Sequence, residues 1–164
     1  MSPRSDAVAS GGPNDAPAAA PVVQVRRLIR APRQRVFDAW TKAEELRAWH
    51  APGPLTVSLA EIDLRPGGAY RIHMREPDGK EHRVAGVYRE VDPPRRVVYT
   101  WSWEGDHPVK DSVVTLEFHD RDGATEVVLT HEGIVDDKER ASHTGGWTSI
   151  LDKLEARYAT TRSA

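Results

Sequence analysis

The feature that most constrains this chain is the stretch from Thr56 to about residue 132, where short runs of alternating apolar and polar residues are separated by tight-turn signals. Alternation with a period of two sends one set of side chains to each face of a strand. Tyr70, Ile72 and Met74 alternate with Arg71, His73 and Arg75, and Val97, Tyr99, Trp101 and Trp103 share one face. Val114, Leu116 and Phe118 do the same, as do Val127, Leu129 and His131, while Thr56 to Leu64 and Arg83 to Val91 read as further strands. Between the runs stand Arg65-Pro66-Gly67-Gly68, Pro77-Asp78-Gly79, Asp92-Pro93-Pro94, the polar loop Glu104 to Pro108, and Asp122-Gly123. These are the residues that tight turns need. Six strands with short connections predict an antiparallel meander with one apolar face.

The flanking segments supply the cover for that face. Val23, Val25 and Ile29 alternate with Gln24 and Arg26 in a first strand, with Arg27 as a polar exception on the apolar side. Ala31-Pro32 breaks the strand, and Val36, Phe37 and Trp40 begin a helical pattern. Thr41, with Glu44 three residues on, predicts the N-cap of a second short helix carrying Leu46 and Trp49. Ala51-Pro52-Gly53-Pro54 ends it. At the other end Asp136 predicts the N-cap of a long helix, in which Trp147, Ile150, Leu151, Leu154 and Tyr158 form an apolar stripe. Such a stripe must lie against the sheet. Gly145-Gly146 interrupts this helix at about 1 kcal/mol per glycine. The pair predicts either a close approach to the sheet or room left for a ligand. The expected class is α+β: strand, two short helices, six strands, long helix.

Composition narrows the functional classes. Residues 1–21 are dominated by Ala, Pro, Ser and Gly and cannot bury enough apolar surface to order themselves, so they read as a disordered tail ahead of one domain spanning residues 22–160. The tail lacks the apolar core of a secretory signal. The formal net charge of −2 gives no reason to expect nucleic acid or an anionic membrane as a partner. The chain has no cysteine, which excludes disulfides and thiolate metal sites. No apolar run reaches the ~18 residues of a membrane span, so a cytoplasmic protein is expected. The seven histidines show no metal-ligand spacing, and no phosphate-binding glycine loop or nucleophile elbow is present. No cofactor or metal is expected.

The ordered motifs resemble a known family. Ala31-Pro32, Val36-Phe37-Asp38-Ala39-Trp40-Thr41, Leu46 and Trp49 are similar to the first helices of the activators of heat-shock-protein-90 ATPase, the AHSA-type homologue-like domains of the START-like (SRPBCC) superfamily. Asp63-Leu64-Arg65-Pro66-Gly67-Gly68, Gly86-Val87-Tyr88, Pro93-Pro94-Arg95, Thr100-Trp101, Thr130-His131-Glu132-Gly133 and Gly146-Trp147 continue the resemblance over roughly residues 22 to 160. It implies a helix-grip fold, a curved antiparallel β-sheet wrapped around the C-terminal helix with a cavity between them. Superfamily members bind lipids, hormones or polyketides, and some are cyclases. Where the family often carries a second aromatic after Trp49, this chain has His50, which implies a changed contact at the pocket mouth.

These readings select candidate residues. Trp49, Tyr70, Met74, Trp101, Trp103, Phe118 and Trp147 are expected to line the pocket, with Arg27, Glu61 and His131 as polar anchors on apolar faces. Arg27 and Glu61 are expected to pair across the sheet, since buried charges need partners. His131 and Tyr70 are the candidates for moving a proton, although a lone His at a strand end is more often structural. The leading expectation is the binding of a small hydrophobic or amphipathic molecule, by a monomer or a homodimer. A cyclase- or hydrolase-type enzyme using the same pocket and a co-chaperone-like interaction module are the alternatives.

Overall fold

The computed structural model describes residues 22–159, and the expected N-terminal tail lies outside these. The elements are β1 (Val22–Ile29), α1 (Arg33–Thr41), α2 (Ala43–Leu46), β2 (Thr56–Ile62), β3 (Ala69–Arg75), β4 (Glu81–Asp92), β5 (Arg96–Trp103), β6 (Ser112–Arg121), β7 (Ala124–Glu132) and α3 (Asp137–Ala159). This is the order that the sequence patterns predict. The strands form one antiparallel sheet in the order β1-β7-β6-β5-β4-β3-β2. The sheet is curved, as a helix-grip fold requires. The two ends of the strand sequence therefore meet, with Val22 opposite Glu132 and Ile29 opposite Thr125.

The turns form for the predicted reasons. Gly79 takes φ +98°, and the Asp78 carboxylate accepts from the Lys80 amide at 3.0 Å, closing the β3–β4 hairpin. Asp122 and Gly123 both have positive φ (55° and 90°), the conformation a two-residue hairpin between Arg121 and Ala124 demands. Asp136 begins α3 by accepting from the Lys138 amide at 2.8 Å. Thr41 does not cap α2. It ends α1 instead, its hydroxyl donating to the Phe37 carbonyl at 2.8 Å, and Lys42 stands at the cap with no side-chain bond. Trp49 lies beyond α2, which ends at Leu46.

α3 covers the inner face of the sheet, burying Trp147, Ile150, Leu151, Leu154 and Tyr158 against Val23, Ile29, Leu116, Phe118 and Leu129. α1 adds Val36, Phe37 and Trp40 to the same core. At one end of the inner face the packing closes on three tyrosines. The rings of Tyr70, Tyr88 and Tyr99 lie 5.2 to 5.7 Å apart, and the Tyr70 hydroxyl donates to the Thr100 carbonyl at 2.5 Å. Gly86 sits opposite Tyr70 in the ladder, and a Cβ there would come within 2.0 Å of the Thr100 oxygen and 2.7 Å of the Tyr70 ring. Only glycine fits this position.

Candidate functional site

The opposite end of the inner face does not close. Between the first half of α3 and the sheet margin made by the β3–β4 hairpin and the end of β5 lies a cleft of about 880 Å³. Met74, Trp101 and Trp103 project into it from the strands, at the alternate positions their period of two predicts, and Gly146, Trp147 and Ile150 face them from α3. Glu139 and His143 extend the helical side outward at spacings of three and four, and Glu81, Arg83, Glu104 and His107 complete a charged rim. A Cβ built on Gly145 or Gly146 would meet nothing within 4 Å. Gly146 therefore leaves room on the cleft, whereas Gly145 faces solvent; neither lets the helix approach the sheet.

Two hydrogen-bonded chains tie the helix to the sheet behind this cleft. The Trp147 indole N–H donates to Nδ1 of His131 at 2.9 Å. On the other side of that ring, Nε2 lies 2.8 Å from the Ser112 hydroxyl, which itself donates to the Trp101 carbonyl at 2.7 Å. With the serine proton committed, His131 carries its hydrogen on Nε2 and donates it to Ser112. The second chain runs at the rim. The Trp103 indole N–H donates to Nε2 of His143 at 2.9 Å, and Nδ1 of His143 donates to the Glu139 carbonyl at 2.8 Å. Both imidazoles are neutral in this arrangement. Burial, with a smaller effect from His143, pushes His131 down to about 3, and burial lowers His143 as well. Neither ring has a free nitrogen with which to move a substrate proton.

His50 is the opposite case. It is fully buried, and its ring centroid lies 5.4 to 6.3 Å from those of Trp40, Trp49, Trp101 and Trp147. Neither of its nitrogens has a hydrogen-bond partner, and burial pushes its pKa down to about 4. The Trp101 indole N–H beside it is also unpartnered. The other indoles are all satisfied: Trp40 by the Tyr99 hydroxyl at 3.1 Å, Trp49 by the Ala39 carbonyl at 3.2 Å, Trp103 and Trp147 by the two histidines. The changed contact after Trp49 is thus a core contact and not one at the pocket mouth.

The candidate residues are divided by the fold. Met74, Trp101, Trp103 and Trp147 come together on the cleft. Trp49 packs on Trp40, and Phe118 packs on Phe37 with ring centroids 5.4 Å apart, both in the core. Tyr70 belongs to the closed end, where its hydroxyl is engaged, and His131 stands behind Trp147. The expected Arg27–Glu61 pair does not form. The two residues lie on β1 and β2, the opposite margins of the sheet. Arg27 pairs with Asp152 and Glu155 of α3, and Glu61 pairs with Arg71 at 2.8 Å on the outer face. Glu61 faces outward because of a bulge at Ser58 in β2: Val57 stands opposite Met74, whereas Leu59 stands opposite His73 and Glu61 opposite Arg71. One extra residue reverses the facing of everything after it. The rim residues Glu139 and His143 escaped sequence reasoning, although their spacing continues the Trp147–Ile150 stripe by one and two turns.

Among the described residues no group of three or more His, Asp or Glu could hold a metal ion, and no helix is long and apolar enough to cross a membrane. A protein from Chromobacterium violaceum has a similar structure, with 26% identity and a TM-score of 0.78 over 84% of this chain and 96% of that one. The AHSA1 protein of Silicibacter pomeroyi is 27% identical, with a TM-score of 0.76 over 86% and 99%. A protein from Rhizobium leguminosarum is 29% identical, with a TM-score of 0.67 over 83% and 92%. No curated protein matches the chain. The family described as "Activator of Hsp90 ATPase homolog 1-like protein" matches residues 30–159, nearly the whole of the described fold, and the chain belongs to that family.

Proposed function

We propose that this protein binds a small hydrophobic or amphipathic molecule in the cleft between the sheet and α3. The observation that carries this reading is the cleft itself. Its volume of about 880 Å³ falls within the ~300–1,000 Å³ of small-molecule sites, and indole and thioether walls meet a charged rim. Gly146 supports it further, because it lines the cleft and projects no side chain into space that would otherwise be open to one. A catalytic role for His131 or Tyr70 gains no support, since the hydrogen-bonding atoms of both are engaged within the protein. Docking of an apolar protein surface gains little, since the large exposed hydrophobics among the described residues (Val22, Leu28, Val87 and Val135) are distributed over β1, β4 and a loop.

The test is native mass spectrometry of gently purified protein, followed by thermal-shift screening with amphipathic compounds, on the wild type and on Gly146→Leu. A compound that raises the Tm of the wild type by several degrees and leaves Gly146→Leu unmoved supports binding in the cleft. Equal shifts in both proteins place the ligand elsewhere and refute the reading.

A further inference from the structure

Within the binding reading just given, the cleft has a floor whose chemistry is more selective than its walls. Trp101 lines the cleft and is only 2% exposed, and its N–H is the one unpartnered indole donor of the five. His50 lies behind it with ring centroids 6.3 Å apart, and both of its nitrogens are unpartnered. Buried polar groups without partners cost about 1–3 kcal/mol each, so two neighbouring ones are expected to have a use. Trp147, which also lines the cleft, touches both: its ring centroid is 4.8 Å from that of Trp101 and 5.7 Å from that of His50.

We propose that Trp101 and His50 form a buried polar point at the floor of the cleft that takes the hydroxyl group of a flat, uncharged aromatic ligand. The donor and acceptor inventory selects this group. Trp101 offers a donor only, whereas a neutral imidazole offers one donor and one lone pair. A hydroxyl oxygen accepts from the Trp101 N–H while its proton goes to the unprotonated nitrogen of His50. Each of the two hydrogen bonds through that oxygen would span ~2.8–3.0 Å. A carboxylate has no proton for that lone pair and would lose its water among four indoles. The ligand ring stacks against Trp101, Trp103 and Trp147, the walls that favour a planar aromatic surface. Both nitrogens are covered in the present arrangement, so entry parts Trp101 from Trp147.

Calorimetric titration with 1-naphthol, 1-methylnaphthalene and 1-naphthoate tests this on the full chain. The expected result is 1-naphthol bound about tenfold more tightly than 1-methylnaphthalene, one net hydrogen bond's worth of affinity, with 1-naphthoate the weakest. In His50→Phe the preference for 1-naphthol falls to within about twofold while 1-methylnaphthalene binds as before. Nitrogen-15 NMR of the wild-type histidines supplies a readout that needs no variant: 1-naphthol, and not 1-methylnaphthalene, shifts the ring nitrogens of His50. Equal affinities for the two neutral probes, a preference for 1-naphthoate, or an unmoved His50 signal under saturating 1-naphthol each overturn the assignment and leave the cleft-binding reading standing. Failure of all three probes to bind overturns the polar point, whereas the proposed function falls only if the wider amphipathic screen also fails.

Discussion

The two ends of the inner face are built from the same aromatic stock and behave as opposites. At one end Tyr70, Tyr88 and Tyr99 pack around Gly86 with no room for a methyl group. At the other, Trp101, Trp103 and Trp147 stand around an open cleft into which Gly146 projects nothing. Glycine thus serves close packing in the first case and empty space in the second. The ionisable groups differ in kind as well. Burial raises the tyrosines of the closed end above their ordinary range and lowers the histidines of the open end. The lesson is that a small domain can keep one stiff end so that the other can be left under-filled.

The largest test of that contrast is pH. His50 and His131 are neutral when folded but titrate near 6.5 when unfolded, so the unfolded chain binds more protons as pH falls. The stability they contribute is complete above about 6.5 and is lost toward their folded values of about 4 and 3. Each costs up to about 1.4 kcal/mol per pH unit, so urea midpoints should fall by several kcal/mol of stability between pH 6.5 and 4.5. Below that window Glu81 of the cleft rim, held near 2 by its bond to Ser58 and by Arg75, adds a loss of the same sign. The tyrosine end works in reverse, because raised phenols withdraw their stability as pH climbs above about 10. Hydrogen exchange should show amides of the tryptophan end opening first in acid and those of the tyrosine end in alkali. A flat profile from pH 6.5 to 4.5 would contradict the neutral, buried histidines.

Next in size is Gly86→Ala, which places a methyl group against the Thr100 oxygen and the Tyr70 ring. Overpacking of this severity should cost about 3 kcal/mol in chemical denaturation. A cost below about 1 kcal/mol would mean that the closed end yields as readily as the open one. Smallest is Gly145→Ala, where open space and an exposed helical site predict a gain of about 1 kcal/mol. A loss there would point to an unrecognised contact on α3.

How far the sequence foretold this arrangement differs along the chain. Strands and turns were legible because alternation and residues such as Asp122-Gly123 act locally; the wall residues Met74, Trp101 and Trp103 followed from the same alternation, and Trp147 from the helical stripe. The facing of Glu61 was not, because the bulge at Ser58 carries no turn residue to announce it. The partner of Arg27 depends on which strands become margins, a property of the whole sheet and not of any segment. Glu139 and His143 prolong the helical stripe by their spacing, but as polar residues they carry no hydrophobic signal to mark that face as covered. The burial of His50 could not be read from a loop residue between Trp49 and Ala51, for it depends on four indoles contributed by α1, the turn after α2, β5 and α3.

The pairing of β1 with β7 also governs how the chain is made. On a ribosome β1 emerges early, yet among the described residues its only ladder partner is β7, about a hundred residues later. Until Glu132 and then α3 have left the exit tunnel, the apolar side of the nascent meander stays uncovered, and a long loop must close before the core can form. Synthesis therefore outlasts any partial shelter the sheet can provide. A truncation that removes α3 should leave a product that is captured by chaperones or aggregates, whatever the merits of the seven strands it retains.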